Sequence, residues 1–513
     1  MKKLNSILYA SMFALTMCFL FMSAIQREFK IFEVKPLKGV LPETKVKEFN
    51  FKNYYDFSFQ RNLEKKIERT FGFREPLIRL YNQYSWDFYK KNPSTMVLIG
   101  EDNWLYPNWH LKGVPITDEL LMNFDMQARF THQLTGILKE YNTELLVCFI
   151  PGKTDIYPEH MGKKIMINDF NPMKYYYQKF EEYDINFIDL TDVFLSYKDT
   201  AIFQPFTQTG THWSNITSVY SIDSILKTFE RLSELHIPEL EISKPYIDSI
   251  RTPDNDLELL LNLARSIEQP DNYYVDVNII EDSSTYHPKM ITIGDSHFWN
   301  VTYNIPLREM FSSYPYWYYG KTIYFDKTHR NISEVDLCNE LFNTDYLLLL
   351  YSSYQTYNFG SGVLVNALLS ICIDDNDLNA EIEKIIKKIN SDTKWVENMT
   401  KKAAKNNITL EEAIYNDALY MIKSDPYKYF PSLDVDIPTV RSKKFEFIMK
   451  YSNNNHDEEE EVNPIKKIIN EMRQSETWMN NLKEKAKKQN KTIEEIMIQD
   501  AEWMVKQRGD IIE

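Results

Sequence analysis

The sequence predicts an α/β fold, a three-layer α/β/α sandwich around a mainly parallel sheet, and three observations predict it. Apolar runs of strand length alternate with amphipathic stretches of helix length between residues 57 and 350. One of those runs, Ile291-Thr292-Ile293, feeds into Gly294-Asp295-Ser296, a turn suited to the C-terminal edge of a parallel sheet. The span from residue 29 to residue 370 is also ample for one large core.

The elements follow in order. Lys2 and Lys3 precede a nearly uncharged run from Leu4 to Ile25, and Arg27 comes only after it. A run of that length crosses a bilayer, with the positive end kept in the cytoplasm. It reads as a signal peptide or an anchor. An Ala-x-Ala cleavage site is not evident, and Met17 before Cys18 makes a poor lipobox, so an uncleaved anchor over residues 1–28 is expected. The bulk of the chain is then extracytoplasmic, or periplasmic, on a single-pass membrane helix.

Two helices are expected within 57–90, then a short strand over 96–99. A helix near 118–140, a strand over 144–150, a helix near 172–182 and a strand over 186–190 come next. Ser214 opens a helix whose apolar positions are Ile216, Val219, Tyr220, Ile222, Ile225 and Leu226. Strands over 289–293 and 346–350 complete a main domain assigned to 29–370.

The tail is an internal repeat. Trp395–Ile422 and Trp478–Val505 superimpose with a constant shift, which places Ala403 on Ala486, Thr409 on Thr492, Glu412 on Glu495 and Asp417 on Asp500. Each copy carries a Thr-x-x-Glu capping box before an apolar-periodic helix, so helical hairpins are expected over 376–430 and 464–513. Between them, 431–463 reads as a linker containing the acidic run Ser452–Glu461. Such hairpins serve either as interaction modules or as helices packed on the main domain.

Composition excludes some roles. A net charge of −15 argues against nucleic-acid binding. The 4 cysteines show neither a disulfide framework nor zinc-ligand spacing, and neither a metal nor a cofactor is expected. Aromatic residues make up 14% of the chain, and Tyr316 and Trp317, close after Ser296, are candidates for stacking on a sugar ring.

The chemistry lies in two short segments. Serine is a weak nucleophile at neutral pH and needs a base within hydrogen-bond reach, with a third group to orient that base. Thr209-Gly210-Thr211-His212-Trp213 supplies a histidine and Gly294-Asp295-Ser296 the serine. His212 as base and Ser296 as nucleophile are the catalytic expectation. The alternatives are a helix start with a buried aromatic for the first segment and a strand-ending turn for the second.

These segments belong to an ordered set that resembles the alginate O-acetyltransferase group, the AlgJ/AlgX-like, DHHW-type branch of the SGNH hydrolase superfamily. The matching blocks are Phe71-Gly72-Phe73-Arg74, Gly100 through Tyr106, Ile150-Pro151-Gly152-Lys153 and Ile156-Tyr157-Pro158-Glu159, followed by the His-Trp and Gly-Asp-Ser blocks. Together they span about residues 50 to 365. The resemblance implies an SGNH-like sandwich, a Ser-His site acting in O-acyl transfer to a polysaccharide, and a multi-pass membrane acyltransferase partner as acyl donor. It also implies that Gly294 and Asp295 support the turn.

One position departs from the pattern. The resemblance implies Asp-Thr-His-Trp, with the Asp completing a triad, and here that Asp is Gly210. Loss of the orienting Asp costs serine proteases about 10⁴-fold in kcat, or ~5 kcal/mol. Asp155, Glu159 or a backbone carbonyl are the candidate replacements, with Asp155 placed first. The second reading of the chain is a degenerate domain that binds glycan or scaffolds a complex, and a third is a carbohydrate acetylesterase.

Overall fold

The computed structural model describes residues 2–39, 49–92, 94–111, 115–162 and 170–440, with scattered positions between 472 and 500. The contacts divide the chain into two units, 1–441 and 442–513.

Seven strands form the main sheet of the first unit: β1 (Glu144–Ile150), β2 (Phe187–Asp189), β3 (Met290–Gly294), β4 (Tyr316–Tyr318), β5 (Thr322–Phe325), β6 (Thr328–Asn331) and β7 (Tyr346–Ser352). Their order across the sheet is β6-β5-β4-β3-β7-β1-β2. From β4 to β2 all pairings are parallel, and β5 and β6 add an antiparallel edge. The sequence expected strands at β1, β2, β3 and β7, whose apolar runs are unbroken because both faces are covered.

Among the helices are α1 (Lys2–Phe29), α2 (Phe51–Tyr55), α3 (Ser58–Thr70), α4 (Arg74–Tyr89), α5 (Asp118–Lys139), α6 (Pro172–Glu182), α7 (Asn215–Ser233), α8 (Asp256–Leu261), α9 (Phe298–Asn304), α10 (Val363–Cys372), α11 (Asp375–Ser391), α12 (Thr393–Asn406) and α13 (Leu410–Ser424). Alternate strand residues separate the two faces, as a period of two requires. Leu145, Val147, Phe149, Ile291, Ile293, Leu347 and Leu349 pack with α5, α6 and α10. Leu146, Cys148, Ile150, Met290, Leu348 and Leu350 pack with α7 and α9. The result is the expected three-layer sandwich. Within α1, Ile7–Phe29 is long and apolar enough to cross a membrane.

Small units brace the sheet edge that carries Ser296. A hairpin pairs Val97–Ile99 with Leu105–Pro107, and Leu257 and Leu261 of α8 pack against it.

The first tail hairpin is built as its capping box predicts. Thr409 Oγ1 accepts from Glu412 N at 3.1 Å, and Glu412 Oε2 accepts from Thr409 N at 2.8 Å. Its apolar side does not stand alone: Ile382, Ile385, Ile389, Met399, Ile414, Ala418 and Ile422 share one buried cluster with Phe130, Leu134, Leu364 and Leu368. The packed unit therefore continues past 376, where the sequence placed a new segment, because these apolar faces need the α5–α10 surface to leave water.

In the second unit, the described positions Met472, Leu482, Ala486, Ile496 and Met497 form a buried cluster. Leu482 and Ala486 correspond in the repeat to Met399 and Ala403. Lys485 contacts Asp500 as Lys402 contacts Asp417. The acidic run 452–461 and most of the expected hairpin over 464–513 lie outside the described residues.

Candidate active site

The Gly294-Asp295-Ser296 turn grows directly out of β3. A side chain at Gly294 would run into the Leu350 carbonyl of β7, so the strand must end on glycine to pair this closely. Asp295 then turns inward. Its Oδ2 accepts from Ser352 N at 2.7 Å and Ser352 Oγ at 2.6 Å, and its Oδ1 accepts from His297 N at 3.0 Å and faces His297 Nδ1 at 2.9 Å. Burial works against its charge, yet His297 and Ser352 outweigh it and hold the carboxyl well below the usual range. Ser296, next in the chain, stays partly accessible.

His212 comes to meet it from the turn before α7. With the proton on Nδ1, Ser296 Oγ donates to His212 Nε2 across 2.8 Å. Facing Nδ1 at 3.0 Å is Oδ2 of Asp256, the first residue of α8. This contact is close enough for an ion pair but bent away from a straight hydrogen bond. Burial pushes the imidazole down, but Asp256, with Asp295 and Asp254 behind it, raises its pKa above the ordinary value.

The carboxylate placed against His212 is Asp256, and not Asp155, the candidate chosen from the sequence. Asp155 sits in the first turn after Gly152, where its Oδ2 accepts from Gly152 N at 2.7 Å and fastens the chain after β1. Glu159 is committed to Lys198 at 2.7 Å. Nothing in the Pro253-Asp254-Asn255-Asp256 turn distinguishes a catalytic acid by spacing. The available signal was negative, the glycine where the acid was expected.

Gly210 itself has a structural reason. A Cβ there would lie 2.6 Å from the Asp254 carbonyl and 2.7 Å from Thr207 Oγ1. That closeness lets the 207–212 strip lie along the 254–258 loop. Thr211 N donates to Asp256 Oδ1 at 2.7 Å, and Leu257 N donates to Thr209 O at 3.1 Å. Asn215 holds Asp254 through its backbone and side-chain nitrogens at 3.0 and 2.9 Å. Burial pushes the Asp254 carboxyl up to about 7 despite these donors.

Lys153 locks the same strip from below. Its side chain is fully buried, and Nζ donates to the carbonyls of Leu105, Gln208 and Gly210 at 2.8, 2.9 and 2.9 Å. Trp104 and Tyr106 face the ammonium at 5.0 and 5.4 Å. Burial pushes its pKa well below the ordinary lysine value against the pull of Asp256, so the three carbonyl acceptors and two aromatic faces offset only part of the cost of desolvation.

The two candidate sugar platforms do not line a groove. Tyr316 is 2% and Trp317 0% exposed, because β4 sits inside the sheet and directs them to opposite covered faces. Tyr316 instead donates its hydroxyl to the Asp295 carbonyl. The aromatic beside Ser296 is Tyr319, from the same aromatic run 314–319 that the sequence offers as a sugar-stacking patch. It occupies the turn after β4 at φ 49°, in the left-handed region that disfavours bulky residues, and its amide donates to Gly294 O at 2.8 Å. Its phenol interacts with Ser296, and burial raises its pKa. Among the described residues no group of three or more His, Cys, Asp or Glu side chains is placed to hold a metal.

Residues 97–270 match the family model described as "SGNH hydrolase-like domain, acetyltransferase AlgX". Over these residues the chain is similar to an SGNH hydrolase-like domain. The match takes in His212 and Asp256 and ends before Ser296. No curated protein matches the chain. Among solved structures, the chain is similar to the O-acetyltransferase domain of Pseudomonas putida AlgJ, at 14% identity over 53% of this chain and 98% of that one, with a TM-score of 0.38. It is similar to Pseudomonas aeruginosa AlgX at 12% identity, over 53% and 59% of the two chains, with a TM-score of 0.31. Bacillus cereus PatB1 aligns at 14% identity over 51% and 99%, with a TM-score of 0.33. Likenesses this distant carry no weight for activity.

Proposed function

We propose that this protein is a membrane-anchored, extracytoplasmic O-acetyltransferase that moves acyl groups onto a cell-envelope or exported polysaccharide through a covalent acyl-serine. The observation that carries the reading is the continuous line Ser296 Oγ, His212 Nε2, His212 Nδ1, Asp256 Oδ2, with contacts of 2.8 and 3.0 Å at its two ends. This is nucleophile, base and orienter in contact.

In the first half-reaction Ser296 Oγ attacks the acyl carbonyl and its proton passes to His212 Nε2. The tetrahedral intermediate collapses, His212 returns the proton to the departing donor group, and the acyl chain remains on Ser296. A sugar hydroxyl then attacks the ester, gives its proton to His212 and leaves acylated, and the proton returns to Ser296. Asp256 holds the imidazole in orientation and offsets its positive charge. The Ser296 N–H is the backbone donor assigned to the developing oxyanion.

The family description supports acetyl as the group moved. The resemblance adds a multi-pass membrane acyltransferase as the donor-side partner. The scaffold reading rested on the missing acid at 210, and Asp256 supplies an acid. The esterase reading differs only in the acceptor.

Intact mass spectrometry after incubation with an activated acetyl ester tests the proposal. An acetyl adduct is expected, absent in Ser296→Ala and His212→Ala, and discharged faster by an oligosaccharide than by water. A folded protein without an adduct would remove the enzymatic reading. Discharge by water alone, with the oligosaccharide unmodified, would make it an esterase.

A further inference from the structure

Residues 49–92 carry an apolar surface that the catalytic unit leaves uncovered. On α4, Leu77, Leu80, Tyr81, Tyr84 and Phe88 recur at helical spacing along one side, and Leu80, Tyr84 and Phe88 are 61%, 52% and 71% exposed. Trp86 and Asn82, on the other side of the helix, are buried against the protein. On α3 none of the 13 residues is buried, although Leu63 and Ile67 are one helical turn apart. Phe49, Phe51, Tyr54, Tyr55 and Phe57 extend the patch through α2, all well exposed. Exposed apolar patches of this size in soluble proteins mark contact surfaces.

The charge around the patch is the reverse of the rest of the molecule. Residues 49–92 hold 9 Lys and Arg against 5 Asp and Glu, a net of +4 in a chain of −15. Lys52, Lys65, Lys66, Lys90 and Lys91 are exposed. Aromatic side chains flanked by lysines are the composition of segments that lie in the headgroup layer of an anionic bilayer.

The position of the patch fits that layer. The turn between α3 and α4 is seated on the last turns of α1: Gly72 meets the Ser23 carbonyl so closely that no side chain fits, and the rings of Phe71 and Phe19 are 6.2 Å apart. Gln26 fixes the exit of α1 by pairing with both Phe32 N and Phe32 O, at 2.9 and 2.7 Å. The span Ile7–Phe29 is 23 residues, about 35 Å of helix against a hydrocarbon core of about 30 Å. The uncharged run ends at Ile25, so Ser23, Gln26 and Arg27, against which Gly72 of the α3–α4 turn is seated, lie at the C-terminal boundary of the hydrocarbon core, at the level of the headgroups.

We propose that α2–α4 form a membrane-surface platform. Their aromatic face lies in the headgroup layer of the bilayer that α1 spans, with anionic lipid held by the surrounding lysines. This rests on the reading of α1 as a retained anchor. The platform ties the catalytic domain to the membrane surface instead of leaving it to swing on a single helix.

The test is spin-label depth in the full-length chain reconstituted in vesicles containing phosphatidylglycerol. Cys18 is the only exposed cysteine among the described residues, so labelling the native chain reports on α1 itself. In a Cys18→Ser background, single labels go at Tyr54→Cys and Tyr84→Cys, with Ile247→Cys, 56% exposed, as a reference far along the chain. Labels at 54 and 84 should be more accessible to oxygen than to a water-soluble nickel chelate, as at Cys18, and Ile247 should show the opposite. Labels at 54 and 84 that follow Ile247 while Cys18 senses lipid would overturn the platform and leave the anchor standing. A water-exposed Cys18 would overturn both. Labels shielded from both reagents would mean that protein covers the face, and would overturn the lipid assignment.

Discussion

Two His–Asp pairs stand side by side at the C-terminal edge of the sheet, and the same residue types do opposite things. The rings of His212 and His297 are 4.8 Å apart. His212 and its partner Asp256 keep side-chain exposures of 14% and 27%, whereas His297 and Asp295 keep 3% and 1%. The pKa of His212 is raised and that of His297 lowered, because burial dominates where the carboxylate is already spent on Ser352 and the turn. A dyad becomes a base only when its carboxylate has the imidazole as its main client and its other nitrogen reaches a nucleophile. His297 Nε2 has no partner among the described residues.

The contrast breaks most sharply at the reacting atoms. Ser296→Ala and His212→Ala should each reduce acetyl-adduct formation by on the order of 10⁴-fold or more, measured in single-turnover experiments. His297→Phe should stay within about tenfold of the parent. Equal losses at the two histidines would mean that the pairs act as one unit.

Asp256→Asn comes next, with a loss of about 10³–10⁴-fold. The pH profile gives a second readout. The base works as neutral imidazole, so activity rises with pH through the His212 pKa. Asp256 raises that pKa, and without it burial prevails, so the acid limb should move to lower pH. Asp155→Asn should leave that limb in place, and a shift there instead of at Asp256 would reverse the assignment.

In the sealed pair the effect should fall on stability. Asp295→Asn leaves buried donors of Ser352 and His297 poorly matched, and should cost about 1–3 kcal/mol in chemical denaturation. Gly210→Asp should have a stability effect of similar size and is the most diagnostic. It restores the acid that the family pattern has at this position, yet the crowding by Asp254 and Thr207 should lower stability by about 1–3 kcal/mol and activity with it. A gain in rate would show that the strip can yield and that Asp256 is the weaker orienter.

Much of this was legible in the chain. The strand at 144–150, the helix at 172–182 and the Gly-Asp-Ser turn follow from hydrophobic period and turn chemistry, which are local. So were Ser296 and His212, because short motifs carry them. Asp256 was not, because it reaches His212 from the first turn of a six-residue helix too short to show a period, held by backbone contacts that composition does not encode. Tyr316 and Trp317 were misplaced for a related reason: aromatic density marks a surface or a core equally well, and β4 proved to be interior. Tyr319 carried a signal of a kind, a bulky residue directly before Gly320 where a turn was due.

Lys153 has a consequence for how the site withstands its surroundings. An ammonium held by three backbone carbonyls does the work that a bound sodium or potassium ion does in other loops, but it is tethered by four methylenes and two aromatic walls. A free ion can be exchanged, chelated or diluted away. This one cannot leave, so the register of the strip that presents His212 is set by the polypeptide alone, whatever the salt composition outside.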